Sequence, residues 1–144
     1  MTRGNRRKSR EKAMQALFFM DLNHSISMEG LNLYCKTFTP PPGVYPFFTE
    51  LMEGVIRYME TIDSSIERFS SNWKISRMAG VDRNILRIAV YELLYCSDIP
   101  TKVSINEAID IGKKFGTRES GAFINGILDS IRIAMDENKI RIEP

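Results

Sequence analysis

Apolar residues recur at intervals of three and four along almost the whole chain, the spacing that places them on one side of a helix. Ala13, Leu17 and Met20 form the first stripe, widened by Met14 and Phe18. They predict a helix from about residue 9 to residue 23 or 24. Arg3, Arg7 and Arg10 continue similar spacing upstream, so a helix extended that way lines up their guanidinium groups. Leu31, Tyr34, Cys35 and Phe38 predict a second helix over 28–38. Thr39-Pro40-Pro41-Pro42-Gly43 then blocks any helix, because successive prolines lack an amide donor and fix φ. Pro46 suits the first turn of a third helix, which carries Phe47, Leu51, Val55 and Tyr58 beside Phe48, Met52 and Met59. A fourth, over 61–70, turns Ile62, Ile66 and Phe69 inward, with Asp63 near its positive end. Residues 72–80 predict only a short turn around Trp73 and Ile75.

The strongest pattern follows. Asp82 reads as a helix cap. Ile85, Ile88, Ala89 and Leu93, with Leu86, Val90 and Leu94, make an apolar surface broad enough for a central helix. Ser97-Asp98-Ile99-Pro100 ends it. Ser104-Ile105-Asn106-Glu107 matches a capping box opening the next helix, with Ile105, Ala108, Ile109 and Ile111 inward and Gly116 closing it. A last helix over about 118–135 buries Phe123, Ile124, Ile127, Leu128 and Ile131, before a polar tail expected to fray after residue 136. No stretch alternates like a strand, and no period repeats. The fold class is all-α with about seven helices; 144 residues fit one compact domain or two small halves sharing a core.

Composition narrows the setting. The longest apolar runs, such as Ile88-Ala89-Val90, break after a few residues, whereas a membrane span needs about 20. The basic start runs into an apolar stretch, but Gln15 interrupts it and Asp21 follows without a small-residue cleavage site. The expected location is the cytoplasm, with no membrane contact. Cys35 and Cys96 are far apart in sequence and in no metal-like spacing. A disulfide between them is one alternative; two lone buried thiols in a reducing compartment is the favoured one.

Charge is unevenly placed. Residues 1–12 hold six bases (Arg3, Arg6, Arg7, Lys8, Arg10, Lys12) and one acid, so +5, while the rest of the chain carries −3. A short basic arm on a mildly acidic body points to a localised polyanion contact. Arginine adds flat faces that stack on bases, and each neutralised phosphate releases a counterion. On charge alone a solvated basic terminus is an equal alternative; continuity with an amphipathic helix favours function. Arg87, inside an apolar helix, needs a carboxylate, a surface groove or a phosphate. An ion pair and a nucleic-acid contact both stay open there.

Enzyme chemistry has little material. His24 is the only histidine and lies at a predicted helix end, where a solvated side chain is expected. No Gly-rich phosphate loop is present; Gly121 and Gly126 read as small residues for close helix packing. The carboxylates form no obvious pair. The expectation is a non-enzymatic protein without cofactor or metal.

Several motifs coincide with one family. Arg10-Glu11 followed by Ala13, Gln15, Ala16 and Leu17 resembles the opening helix of NusB proteins. Asp82-Arg83-Asn84-Ile85-Leu86-Arg87-Ile88-Ala89-Val90-Tyr91-Glu92-Leu93 resembles their central helix. The run from Ser97-Asp98-Ile99-Pro100 through Ser104-Ile105-Asn106-Glu107-Ala108-Ile109 is the most recognisable part, followed by Lys113 to Gly116 and Phe123-Ile124-Asn125-Gly126-Ile127-Leu128-Asp129. The resemblance is strong over residues 6–18 and 82–130, and weak over about 24–60.

The resemblance implies two small helical bundles packed across each other in one compact unit, 1–75 with the arginine-rich first helix and 76–144. It implies an RNA-binding antitermination factor. Such proteins pair with NusE, a small-subunit ribosomal protein, bind single-stranded boxA RNA in ribosomal RNA leaders, and join the RNA polymerase elongation complex through other Nus factors. Carried over by residue, the arm is Arg6, Arg7, Lys8 and Arg10. Phe18 stands where relatives often have tyrosine; its ring can stack but brings no hydroxyl. Phe69 and Phe123 fall at aromatic positions used against RNA, with ordinary core packing as the alternative. Arg87 is the matching base on the central helix, and Glu119 stands where relatives carry aspartate. Gln15 and Glu119 are the candidates for base-edge contacts. Asp82 matches an acidic position at the NusE contact. Two alternatives remain: a NusB-like RNA-binding domain of an RNA cytosine methyltransferase, which would make this chain a fragment, and a self-associating assembly protein whose homodimer hides the arm.

Overall fold

The computed structural model describes residues 3–71 and 73–140, with side chains from residue 5 onward. Seven α-helices follow one another: α1 (Arg3–Leu22), α2 (Met28–Thr37), α3 (Tyr45–Arg57), α4 (Met59–Phe69), α5 (Gly80–Tyr95), α6 (Thr101–Phe115) and α7 (Ser120–Asp136). A 3-10 turn, Ile75–Arg77, sits between α4 and α5. Among the described residues there is no strand. The side chain of Arg3, and the fraying expected over 141–144, lie outside the described residues.

The broad apolar surface of α5 makes it the axis of the molecule. It packs against α1, α3, α4, α6 and α7. Almost every residue from Asp82 to Leu94 is buried, and Leu86 and Val90 are fully so. Around it Leu17 and Met20 of α1, Phe47, Phe48 and Leu51 of α3, Ile62 and Ile66 of α4, and Ile124, Leu128 and Ile131 of α7 fill one continuous core. Outside α2 the stripes read from the sequence are largely the buried faces; in α2 Leu31 is buried, Tyr34 and Cys35 are half-buried and Phe38 is exposed.

Helix ends depart from the sequence reading where tertiary contacts compete with local signals. α5 starts at Gly80 after Ala79, so Asp82 lies inside its first turn rather than at the cap. The capping-box reading of Ser104 and Glu107 is wrong. Pro100, in extended geometry, starts α6 at Thr101, and both side chains turn into the core. Ser104 Oγ donates to Glu92 at 2.8 Å, and Glu107 accepts from two arginines of α1. The carboxylate gains more from charged donors than from reaching back to an end amide. α4 begins two residues early, with only Tyr58 between it and α3. α7 begins two residues late, at Ser120, whose Oγ accepts from Thr117 N at 2.9 Å. Ser27 caps α2 by accepting from Gly30 N at 3.0 Å, a cap that the apolar pattern does not reveal.

Three glycines meet different constraints. A Cβ on Gly54 of α3 would overlap the Tyr91 ring of α5, so that crossing depends on the absent side chain. Gly121 is buried, and a Cβ there would meet Lys113 Cε at 3.2 Å, as close packing demands. Gly126 is exposed, with nothing within 4 Å of an added Cβ; the packing role read for it does not hold. Gly126→Ala should therefore stabilise the protein by about 0.5–1 kcal/mol, the helix-propensity gain. Urea unfolding reads this directly, and a loss of stability would mean that position 126 is enclosed.

Both cysteines are free thiols. Cys96 is buried, and burial pushes its thiol up to about 12. Cys35 is half-buried, more open than expected.

Candidate nucleic-acid interface

Helix α1 positions the basic arm, and its amphipathic winding sends successive bases to different neighbours. Ser9 anchors it, its Oγ donating to Val44 O at 3.0 Å just before α3. Arg10 points inward and is only 3% exposed. Its Nε and Nη2 donate to the two oxygens of Glu92 at 2.8 Å each, and Nη1 donates to Glu107 at 2.9 Å. Arg7 donates to Glu107 and, at 2.9 Å, to Asp110. Two guanidiniums thus face three carboxylates from α5 and α6. Glu11, on the same side, pairs with Lys114 at 3.1 Å. Arg6 lies 4.5 Å over the Phe47 ring. Among the described residues, Lys8 and Lys12 join no ion pair; Lys8 is exposed and Lys12 half-buried.

Burial alone would raise the Glu107 carboxyl, but hydrogen bonds and charge from Arg7 and Arg10 hold it below its ordinary value of 4.5. Burial of Arg10 opposes its charge, and Glu92 and Glu107 outweigh that. A carboxylate depressed in the fold stabilises it above the unfolded pKa and loses that contribution as pH falls through the folded one. Thermal stability should thus hold from neutral pH to about 5 and decline below about 4.5. Glu107→Gln should lower the midpoint at pH 6 and flatten the acid decline; an identical acid profile in the variant would contradict the pairing.

Arg87 sits in a second network. Its Nε and Nη2 donate to Asp63 of α4 at 2.9 and 3.0 Å, and Nη1 donates to Asp21 of α1 at 3.2 Å and to Asn84 at 2.9 Å. Arg83 donates to the same Asp21 at 2.8 Å and to Met78 O at 2.8 Å. Burial pushes the Asp21 carboxyl up, but Arg83, Asn84 and Arg87 hold it below its usual range. Arg87 is a buried clamp between helices.

The aromatic candidates gather on elements bordering the 70–79 connection. Phe18 of α1 meets the start of α5, where a Cβ on Gly80 would lie 2.7 Å from its ring. Phe69 ends α4 under Arg68, whose guanidinium carbon is 4.8 Å from the ring centre. Phe123 of α7 meets Trp73 edge-on, centroids 6.0 Å apart. All three phenylalanines are partly buried against the core. Trp73 is 53% exposed; in the sequence it falls in a stretch without pattern, and its being the only tryptophan is the one signal available there. Phe18 lies 11 residues beyond Arg7, so the arm and this set are about 16 Å apart along α1.

The remaining candidates scatter. Glu119 is exposed at the cap position of α7, accepting from Thr117 Oγ1 at 3.3 Å. Gln15 faces away from α6 toward α2, in a groove shared with Lys8 and Lys12. Asp82 is 9% exposed, and its Oδ1 has no hydrogen-bond partner among the described residues. His24 is exposed past the end of α1. Among the described residues no helix is long and apolar enough to cross a membrane.

A model of the NusB family matches residues 7–132. The chain belongs to the NusB family. It is 54% identical over 136 residues to the transcription antitermination protein NusB of Desulfatibacillum aliphaticivorans, covering 94% of this chain and 95% of that one. The solved structure of T. maritima NusB is 34% identical with a TM-score of 0.80, covering 94% of this chain and 97% of that one. A chain in a solved complex of the antitermination factors NusB and NusE with double-stranded RNA is 25% identical with a TM-score of 0.75, covering 92% and 99%. The all-helical NusB fold thus spans the two ion-pair networks and the aromatic set alike.

Proposed function

We propose that this chain is a transcription antitermination factor that binds RNA together with NusE and acts in the cytoplasm on elongating RNA polymerase, through other Nus factors and without a catalytic step. The extent of the likeness carries the reading: 54% identity to an antitermination protein over 136 residues, 94% of the chain. Within this reading, the RNA contacts fall to the groups whose charges and rings stay open. Arg6 and Lys8 supply the phosphate contacts. Phe18, Phe69, Phe123 and the exposed Trp73 supply ring faces. Gln15 and Glu119 lie open enough for base edges. Arg7, Arg10 and Arg87 hold the helices that present these groups, because their donors are already engaged by carboxylates. Asp82 is the acidic residue assigned to the NusE contact, although its Oδ1 is buried in this chain by itself.

The test is a titration at several salt concentrations with boxA RNA, a scrambled strand and a duplex, each with and without purified NusE. Light scattering alongside separates monomer from homodimer. The expected result is preference for boxA, tighter with NusE, and quenching of the single tryptophan's emission on binding. Lys8→Gln should reduce the magnitude of the log–log salt slope by about 0.7 on a single strand. Asp82→Lys should diminish the gain from NusE. If neither NusE nor low salt yields binding to any of the three RNAs, the reading is wrong.

A further inference from the structure

On the other side of α1, the stripe Lys8, Lys12, Gln15 and Phe19 faces α2 rather than α6. Between α1, α2 and the proline-rich connection lies a groove of about 570 Å³, and none of its lining residues is acidic. Lys8 and Lys12 form one wall, and Tyr34 and Phe38 the facing one. Phe38 sits at the end of α2, its amide donating to Tyr34 O at 2.9 Å, and is 52% exposed. Phe19 is 47% exposed. The Tyr34 and Phe38 ring centres are 5.0 Å apart, and Phe19 closes the group at 5.6 Å from Tyr34 and 6.1 Å from Phe38. Three rings held by one another while two stay half open to solvent are preorganised flat surfaces beside unpaired cations.

We propose that this groove is a second RNA subsite, in which bases of a single strand stack on Tyr34 and Phe38 while Lys12 pairs with the backbone. The inference rests on the RNA reading above and extends it to a face that the arginine-rich arm does not cover. Charge selects a polyanion, since cations line the groove without a carboxylate to compensate them. Ring faces select nucleobases over an acidic peptide, because stacking tolerates any base and side-chain carboxylates gain nothing from it. Lys8 lies one helix position from Arg7, so a strand held by the arm can continue into this groove. Lys8 and Phe19 are about 16 Å apart along the helix, room for roughly four or five nucleotides at the stacked spacing of a strand.

The experiment compares a boxA oligomer with the same oligomer extended by five uridines at its 5′ or 3′ end, by anisotropy, on the full chain with NusE. For the natural sequence one extension should tighten binding fivefold or more. Tyr34→Leu/Phe38→Leu should abolish that gain while binding the short oligomer unchanged. Lys12→Gln should lower the salt slope by about 0.7 for the extended oligomer only. If circular dichroism shows the double variant misfolded, Phe38→Leu alone, at an exposed position, replaces it. No gain from either extension, or a gain that survives loss of the rings, overturns the subsite. Competition by polyglutamate as effective as by the uridine tail also overturns it, since the groove would then read charge alone. Failure of the short oligomer to bind sinks the RNA reading itself, and the subsite with it.

Discussion

Arg10→Met should lower the unfolding free energy by about 3–5 kcal/mol, with the denaturant slope unchanged. The size follows from what remains. Glu92 is 1% exposed and Glu107 4% exposed, and Arg10 supplies three charge-assisted hydrogen bonds to them. Removing the cation leaves buried carboxylates with Arg7 and Ser104 as their remaining donors. Methionine fills similar space but offers no donor. Lys8→Met, two residues away on another side of α1 and exposed, should change stability by no more than about 0.5 kcal/mol. A loss below 1 kcal/mol at Arg10 would mean that water or rearrangement satisfies the carboxylates. The result bears on function as well. Replacing Arg6, Arg7 and Arg10 together would weaken RNA binding partly by loosening α1 from α5 and α6. A clean test of the arm therefore leaves Arg10 in place.

Arg87→Met should cost about 3 kcal/mol for the same reason. Four hydrogen bonds run from this guanidinium to Asp63, Asp21 and Asn84, tying α5 to α4 and α1. The prediction separates two roles that the sequence alone could not. A clamp loses stability, while RNA affinity per folded molecule falls by less than threefold at a temperature well below the transition. A phosphate contact shows the reverse: near-native stability, weaker affinity and a salt slope reduced by about 0.7 on a single strand. Urea unfolding and anisotropy on the same preparation decide between them.

The pattern of apolar positions was sufficient for the helices. Burial of one side is a property of spacing, and α1, α3, α5 and α7 carry stripes long enough to leave no competing period. Helix ends were less legible. Ser104-Ile105-Asn106-Glu107 has the letters of a capping box, yet Glu107 meets arginines nearly 100 positions away in the chain. No local rule sees such a partner. Gly126 looked like a packing glycine beside Gly121, but one helix position decides whether a neighbour lies opposite. The open groove was illegible for the same reason, since Tyr34 and Phe38 read as the apolar face of α2 and only the packing of α2 on α1 shows that their rings remain accessible.

What the sequence determined by itself is the all-helical fold, the family, and a first helix with dense positive charge. What the tertiary structure decided is which of the basic residues are paired internally. Arg7 and Arg10 face carboxylates of α5 and α6, and Arg87 faces those of α4 and α1, because helices that bury apolar stripes also bring together the ionised groups at their margins. Burial makes an unpaired charge costly, so these arginines are paired internally. Lys8 stays outside, where its charge is solvated and open to a phosphate.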